Sequence, residues 1–273
     1  MSAAAPPAPP EKIVLRAPPP FVPAFAPAVI PLPDHNQLPE TDGSIVENSQ
    51  EHPQGNILTD TLAERLACLY GPQGFFVGLD TGIFWTPTEP PLAGCKSPDW
   101  YVVPGVQPML DGQVRRSYVM YREILAPAVV MQFVSRDDGG ERDTTPGSGK
   151  FWVYERGIRA PWYVIFDAPR RLLEVYRLVD GRYERQEANP SGRYLVPPLL
   201  AELGIWEGTY RGITGAWLRP WDPDTGQMIS MTEEREAAQR QRADQERQRA
   251  EDAERERDRL RERLRAAGID PDA

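Results

Sequence analysis

Hydrophobic positions first settle into a pattern at residues 58–70, where Leu58, Leu62, Leu66 and Leu69 recur at helical spacing and Gly71-Pro72 follows as a stop. This predicts an amphipathic helix. Residues 75–79 and 82–85 then read as two short strands joined through Asp80-Thr81, and 100–103 as a third. The run 128–134 is almost unbroken in apolar residues, as expected of a central strand covered on both faces, and Gln132 is the polar residue inside it. Residues 136–145, dense in Asp, Gly, Arg and Thr, read as a loop. Residues 149–156 have helical character, with Lys150 and Tyr154 on one face and Phe151 and Glu155 on another. Strands return at 162–167 and 172–178 around a turn at 168–171, and a peripheral meander follows.

Composition divides the chain into three parts. Many of the 30 prolines crowd into residues 1–37, an arm that cannot bury a core and favours extended, disordered conformations. Residues 38–222 are of a length for one globular domain. Within 223–273, the segment 232–267 lacks Gly and Pro, starts at Thr232 with Glu233-Glu234 and stops at Gly268, so it reads as one long charged helix. Its large apolar residues, Leu260 and Leu264, are four apart. A solvated helix laced with ion pairs is the simpler reading, and a coiled-coil contact joining a homo-oligomer at the leucine end is the alternative.

The net charge of −9 argues against wholesale binding to nucleic acid or anionic membranes but leaves room for a local cationic groove. Cys68 and Cys95 form no CxxC, and His35 and His52 have no ligand partner nearby, which disfavours zinc and Cys/His chemistry. No apolar run spans a bilayer and no signal peptide is recognisable, so a cytoplasmic protein without membrane association is expected.

Candidate chemistry gathers in 97–156. Hydrolysis of a phosphodiester calls for a hard cation held by oxygen ligands. Asp99, after Pro98, offers one carboxylate at a strand start, and a second ligand would face it from position 132. Lys150 is the lysine placed to polarise a phosphate, because Lys12 lies in the arm and Lys96 outside the loop and helix that follow the ligand strand. Asp143 could add a carboxylate or hold the loop. Arg115 and Arg116, with Tyr118 beside them, could contact phosphates of nucleic acid. One by one these have blander readings: Pro-Asp as a strand start, Gln132 as a satisfied core amide, Asp143 and Glu141 as solvated loop acids.

Taken in order, Pro98-Asp99, the strand ending Phe133-Val134-Ser135, Glu141-Arg142-Asp143, Lys150 and Tyr154 resemble the Uma-two family of putative restriction endonucleases, a branch of the PD-(D/E)xK nuclease superfamily. The resemblance covers about residues 38–221. It implies an α/β restriction-endonuclease-like core, a mixed central sheet flanked by helices, and cleavage of DNA that depends on Mg²⁺, with Mn²⁺ as a substitute. Carried over, Asp99 is a metal ligand, Lys150 is a lysine moved onto the next helix from the place now held by Val134, and Glu47 matches the acid upstream of the first helix. The departure is Gln132, where the family's strand carries Glu. Its amide oxygen can ligate a metal but brings no charge. Two outcomes follow: an endonuclease rescued by Asp143 or Glu141, or a catalytically inactive fold that binds nucleic acid or a protein.

Overall fold

In the computed structural model, residues 32–35, 37–39, 49–134 and 140–267 are described. Most of the Pro-rich arm, and Glu47, lie outside them. The elements are α1 (Glu51–Tyr70), β1 (Phe75–Gly78), β2 (Ile83–Phe84), β3 (Cys95–Lys96), β4 (Trp100–Pro104), β5 (Met109–Leu110), β6 (Gln113–Val114), β7 (Tyr118–Val119), the single turn α2 (Met120–Glu123) and β8 (Val129–Phe133). They continue with α3 (Lys150–Trp152), which runs into a π-helical turn (Val153–Ile158), then β9 (Trp162–Asp167), β10 (Leu172–Val179), β11 (Arg182–Arg185), β12 (Tyr194–Val196), β13 (Ala201–Tyr210), β14 (Ile213–Trp221) and α4 (Thr232–Ala266).

The fold is α/β, built on a six-stranded sheet in the order β1-β4-β8-β9-β10-β11. It is mixed: β8 and β9 run parallel and every other neighbouring pair is antiparallel. All five residues of β8 and all six of β9 are buried, because both faces are covered. On one face Leu58, Leu62 and Leu66 of α1, together with Leu203 and Leu218 from the antiparallel sheet β12-β13-β14, pack over Trp100, Val102, Met131 and Val164. On the other, Val153, Tyr154 and Ile158 pack over Tyr101, Val103, Val130, Tyr163 and Ile165. Each strand sends alternate residues to the two layers, as a pleated strand must.

Two expectations change. Helix α1 begins at Glu51, ahead of the leucine run. Pro53 sits in the first turn, where its missing N–H is no loss, and Gly55 lets the helix close on β1, since a Cβ there would lie 2.5 Å from Leu79 Cδ2. Nor do 75–79 and 82–85 form a hairpin with each other. Strand β1 pairs with β4, whereas β2 joins a separate three-stranded sheet between β3 and β7. Among the described residues no helix is long and apolar enough to cross a membrane.

Candidate active site

The antiparallel register pairs Trp100 with Met131, and one step further along both strands sets Asp99 across from Gln132, on the face covered by α3. Asp99 is held by the backbone: its Oδ2 accepts the Phe133 N–H at 2.5 Å. Burial raises its pKa well above the usual carboxylate range, the Phe133 N–H and Lys150 pull it back, and the charges of Asp80 and Glu51 push it up again.

Gln132 is buried, and its amide is oriented from both ends. Nε2 donates to Tyr154 Oη at 2.9 Å and to the Ser97 carbonyl at 3.4 Å, while Oε1 accepts from Lys150 Nζ at 3.1 Å. The shared face of Lys150 and Tyr154 is therefore the face that meets Gln132. Lys150 Nζ also donates to Glu141 Oε1 at 3.1 Å, so one ammonium lies between an amide oxygen and a carboxylate oxygen.

Glu141 is buried, and its second oxygen, Oε2, has no hydrogen-bond partner among the described residues. The short turn Gly140–Arg142 that carries it is fixed on both sides. Tyr163 Oη donates to the Glu141 carbonyl at 2.8 Å, and the Arg142 guanidinium bonds Glu174 Oε1 on β10 at 2.5 and 2.9 Å.

Asp143 has a different task. It is exposed, and hydrogen bonds from the Thr145 hydroxyl and N–H hold its carboxyl below the usual range, with a smaller contribution from Lys96. Its backbone carbonyl accepts the Phe151 N–H at 3.0 Å, so it ties the loop to the start of α3. Arg115 is buried and committed to Glu123 through bonds of 2.6 and 2.8 Å and to the Gln107 carbonyl, so it does not present itself to a nucleic acid. Arg116 is exposed. Glu47 lies outside the described residues. The helix acid whose charge reaches Asp99 is Glu51, in the first turn of α1. Sequence reading missed Glu51 and Asp80, and no spacing signal marks either one.

A family model described as "Putative restriction endonuclease", Uma2, matches residues 30–213. The chain belongs to the Uma2 family. No match is found among curated proteins. Among solved structures, the crystal structure of a putative nuclease from Anabaena variabilis is similar at 13% sequence identity, over 54% of this chain and 73% of that one, with a TM-score of 0.37.

A nuclease core of the Uma2 kind implies a divalent cation. Mg²⁺ is usually bound by one or two carboxylates together with waters and substrate phosphates. Asp99, the Gln132 oxygen and the unpartnered oxygen of Glu141 match that chemistry. No group of three or more His, Cys, Asp or Glu able to hold a metal exists among the described residues. Asp99, Gln132 and Glu141 offer oxygen donors of the kind such a cation takes, without a cage of three acids among the described residues.

Proposed function

We propose that this chain cleaves DNA phosphodiester bonds with a divalent cation, Mg²⁺ or in its place Mn²⁺, taken up at Asp99 and the Gln132 oxygen together with the phosphate itself. The observation that carries the reading is the Asp99–Gln132 cross-strand pair with the Lys150 ammonium 3.1 Å from the amide oxygen. When bound, the cation supplies Lewis acidity at the phosphate and lowers the pKa of the attacking water. The rest is done by side chains. The Phe133 N–H fixes Asp99, Tyr154 Oη fixes the amide so that Oε1 and not Nε2 faces the ammonium, and Lys150 can transfer its hydrogen bonds to a phosphate oxygen on which charge develops.

The test is nicking of supercoiled plasmid in Mg²⁺ and in Mn²⁺. The wild-type chain is expected to be slow, Asp99→Asn inactive, and Gln132→Glu faster, because it restores an anionic ligand. A second reading, a silent nuclease fold that binds nucleic acid, is favoured by the neutrality of Gln132 and by the absence of a three-acid cluster among the described residues. Wild type that retains DNA but never nicks it, with no gain in Gln132→Glu in either metal, would establish that reading instead.

A further inference from the structure

We infer that Glu141 is the carboxylate that replaces the charge missing at Gln132, and that Lys150 occupies its place until a divalent cation arrives. The inference rests on the metal-dependent reading above and deepens it.

Three observations carry it. Glu141 Oε1 and Gln132 Oε1 accept from the same ammonium, each at 3.1 Å, so a carboxylate and the amide oxygen meet one cation, Lys150. Glu141 Oε2 is buried without a partner among the described residues, and such an oxygen costs stability unless something occupies its lone pairs. The turn that carries it is braced by Tyr163 and by Arg142–Glu174, so the carboxylate is positioned in advance. A solvated loop acid needs neither the burial nor the bracing. Asp143, the other acid of the loop, is exposed and committed to Thr145.

Exchange of roles then requires only that Lys150 move. Asp99, Gln132 and Glu141 would hold the cation, and the ammonium, released from the Gln132 and Glu141 oxygens, would become available to phosphate. Lys150 is partly exposed, so it has room to swing.

The experiment is calorimetric titration of Mn²⁺ into the full chain in the presence of a short double-stranded oligonucleotide, with circular dichroism to confirm folding. Four forms are compared with wild type: Asp99→Asn, Glu141→Gln, Gln132→Glu, and the exchange variant Gln132→Glu/Glu141→Gln. Loss of affinity by about tenfold or more is expected in Glu141→Gln, since ligand charge count tunes affinity. The exchange variant should recover to within about threefold of wild type, because the charge is returned to the same ion from the neighbouring position. Binding lost in Asp99→Asn but unchanged in Glu141→Gln would overturn the role of Glu141 and leave the metal site standing. Loss in Glu141→Gln without recovery in the exchange variant would make Glu141 a structural acid and overturn it as well. No Mn²⁺ bound by wild type or by Gln132→Glu would remove the metal-dependent reading and this inference together.

Discussion

At the scale of single residues, the site trades stability for chemistry, and Asp99 shows the trade most directly. A carboxyl whose folded pKa lies above its unfolded value weakens the fold progressively as pH rises past the ordinary carboxylate range, and the full cost is reached above the folded pKa. Asp99→Asn should therefore raise the thermal midpoint at pH 8, with the gain shrinking toward zero near pH 4, as calorimetric scans across that range would read out. On the metal-dependent reading proposed above, uptake would need the ionised carboxylate, so affinity for Mn²⁺ should climb with pH and level off once Asp99 has titrated. Tyr154→Phe tests the other half of the pair. It leaves Gln132 Nε2 with only the longer contact to Ser97 and should cost about 1 kcal/mol in urea unfolding.

Among the elements, the two ends of α4 differ sharply. Its first turns are fastened: Thr232 bonds Asp60, and Glu234 pairs with Arg219, which is fully buried on β14. Further on, the helix is exposed and carries pairs such as Arg240–Glu236 and Arg257–Glu254. Glu234→Ala leaves a buried guanidinium without its carboxylate and should cost about 3 kcal/mol, whereas Glu254→Ala should cost less than about 0.5 kcal/mol; equilibrium unfolding separates them. A truncation that tests self-association must then end after Arg242, so that the fastened first turns of α4 stay in place. With Leu260 half exposed and the described pairs satisfied within one helix, the full and shortened chains should both sediment as monomers. Much of this architecture was legible in the sequence. The run through β8 announces a strand covered on both faces, the Lys150–Tyr154 spacing puts both on one helix face, and the charged tail announces a helix. The first turns of α1 were hidden by Pro53, which a first turn accepts, and by Gly55, whose poor helix preference yields to close packing against Leu79. Glu51, Asp80 and the burial of Glu141 were hidden for another reason. An acid in a polar segment looks the same whether it ends in solvent or against a buried carboxylate, and only the tertiary fold decides.

Over the whole molecule, a chain of net charge −9 can hold a polyanion only through a local concentration of cations. With Arg115 committed to Glu123, the lysines near the site would take on that work if the chain acts on DNA as proposed above. Lys96 stands on β3 just ahead of Ser97, whose carbonyl receives Gln132, and its charge reaches Asp143 in the loop before α3. Lys96 thus stands three residues ahead of Asp99, and it has no ion pair among the described residues. Affinity for duplex DNA should fall steeply with salt, and Lys96→Gln should flatten the log–log slope by about one, measured by fluorescence anisotropy. An unchanged slope would move the contact elsewhere.

The amide of Gln132 is held by the same tyrosine and lysine that could hold a carboxylate of nearly equal shape. A glutamine codon becomes a glutamate codon by one base change. The lineage carrying this chain is therefore a single mutation from a glutamate at this position, and the contact such a change would lose is the long one from Nε2 to the Ser97 carbonyl.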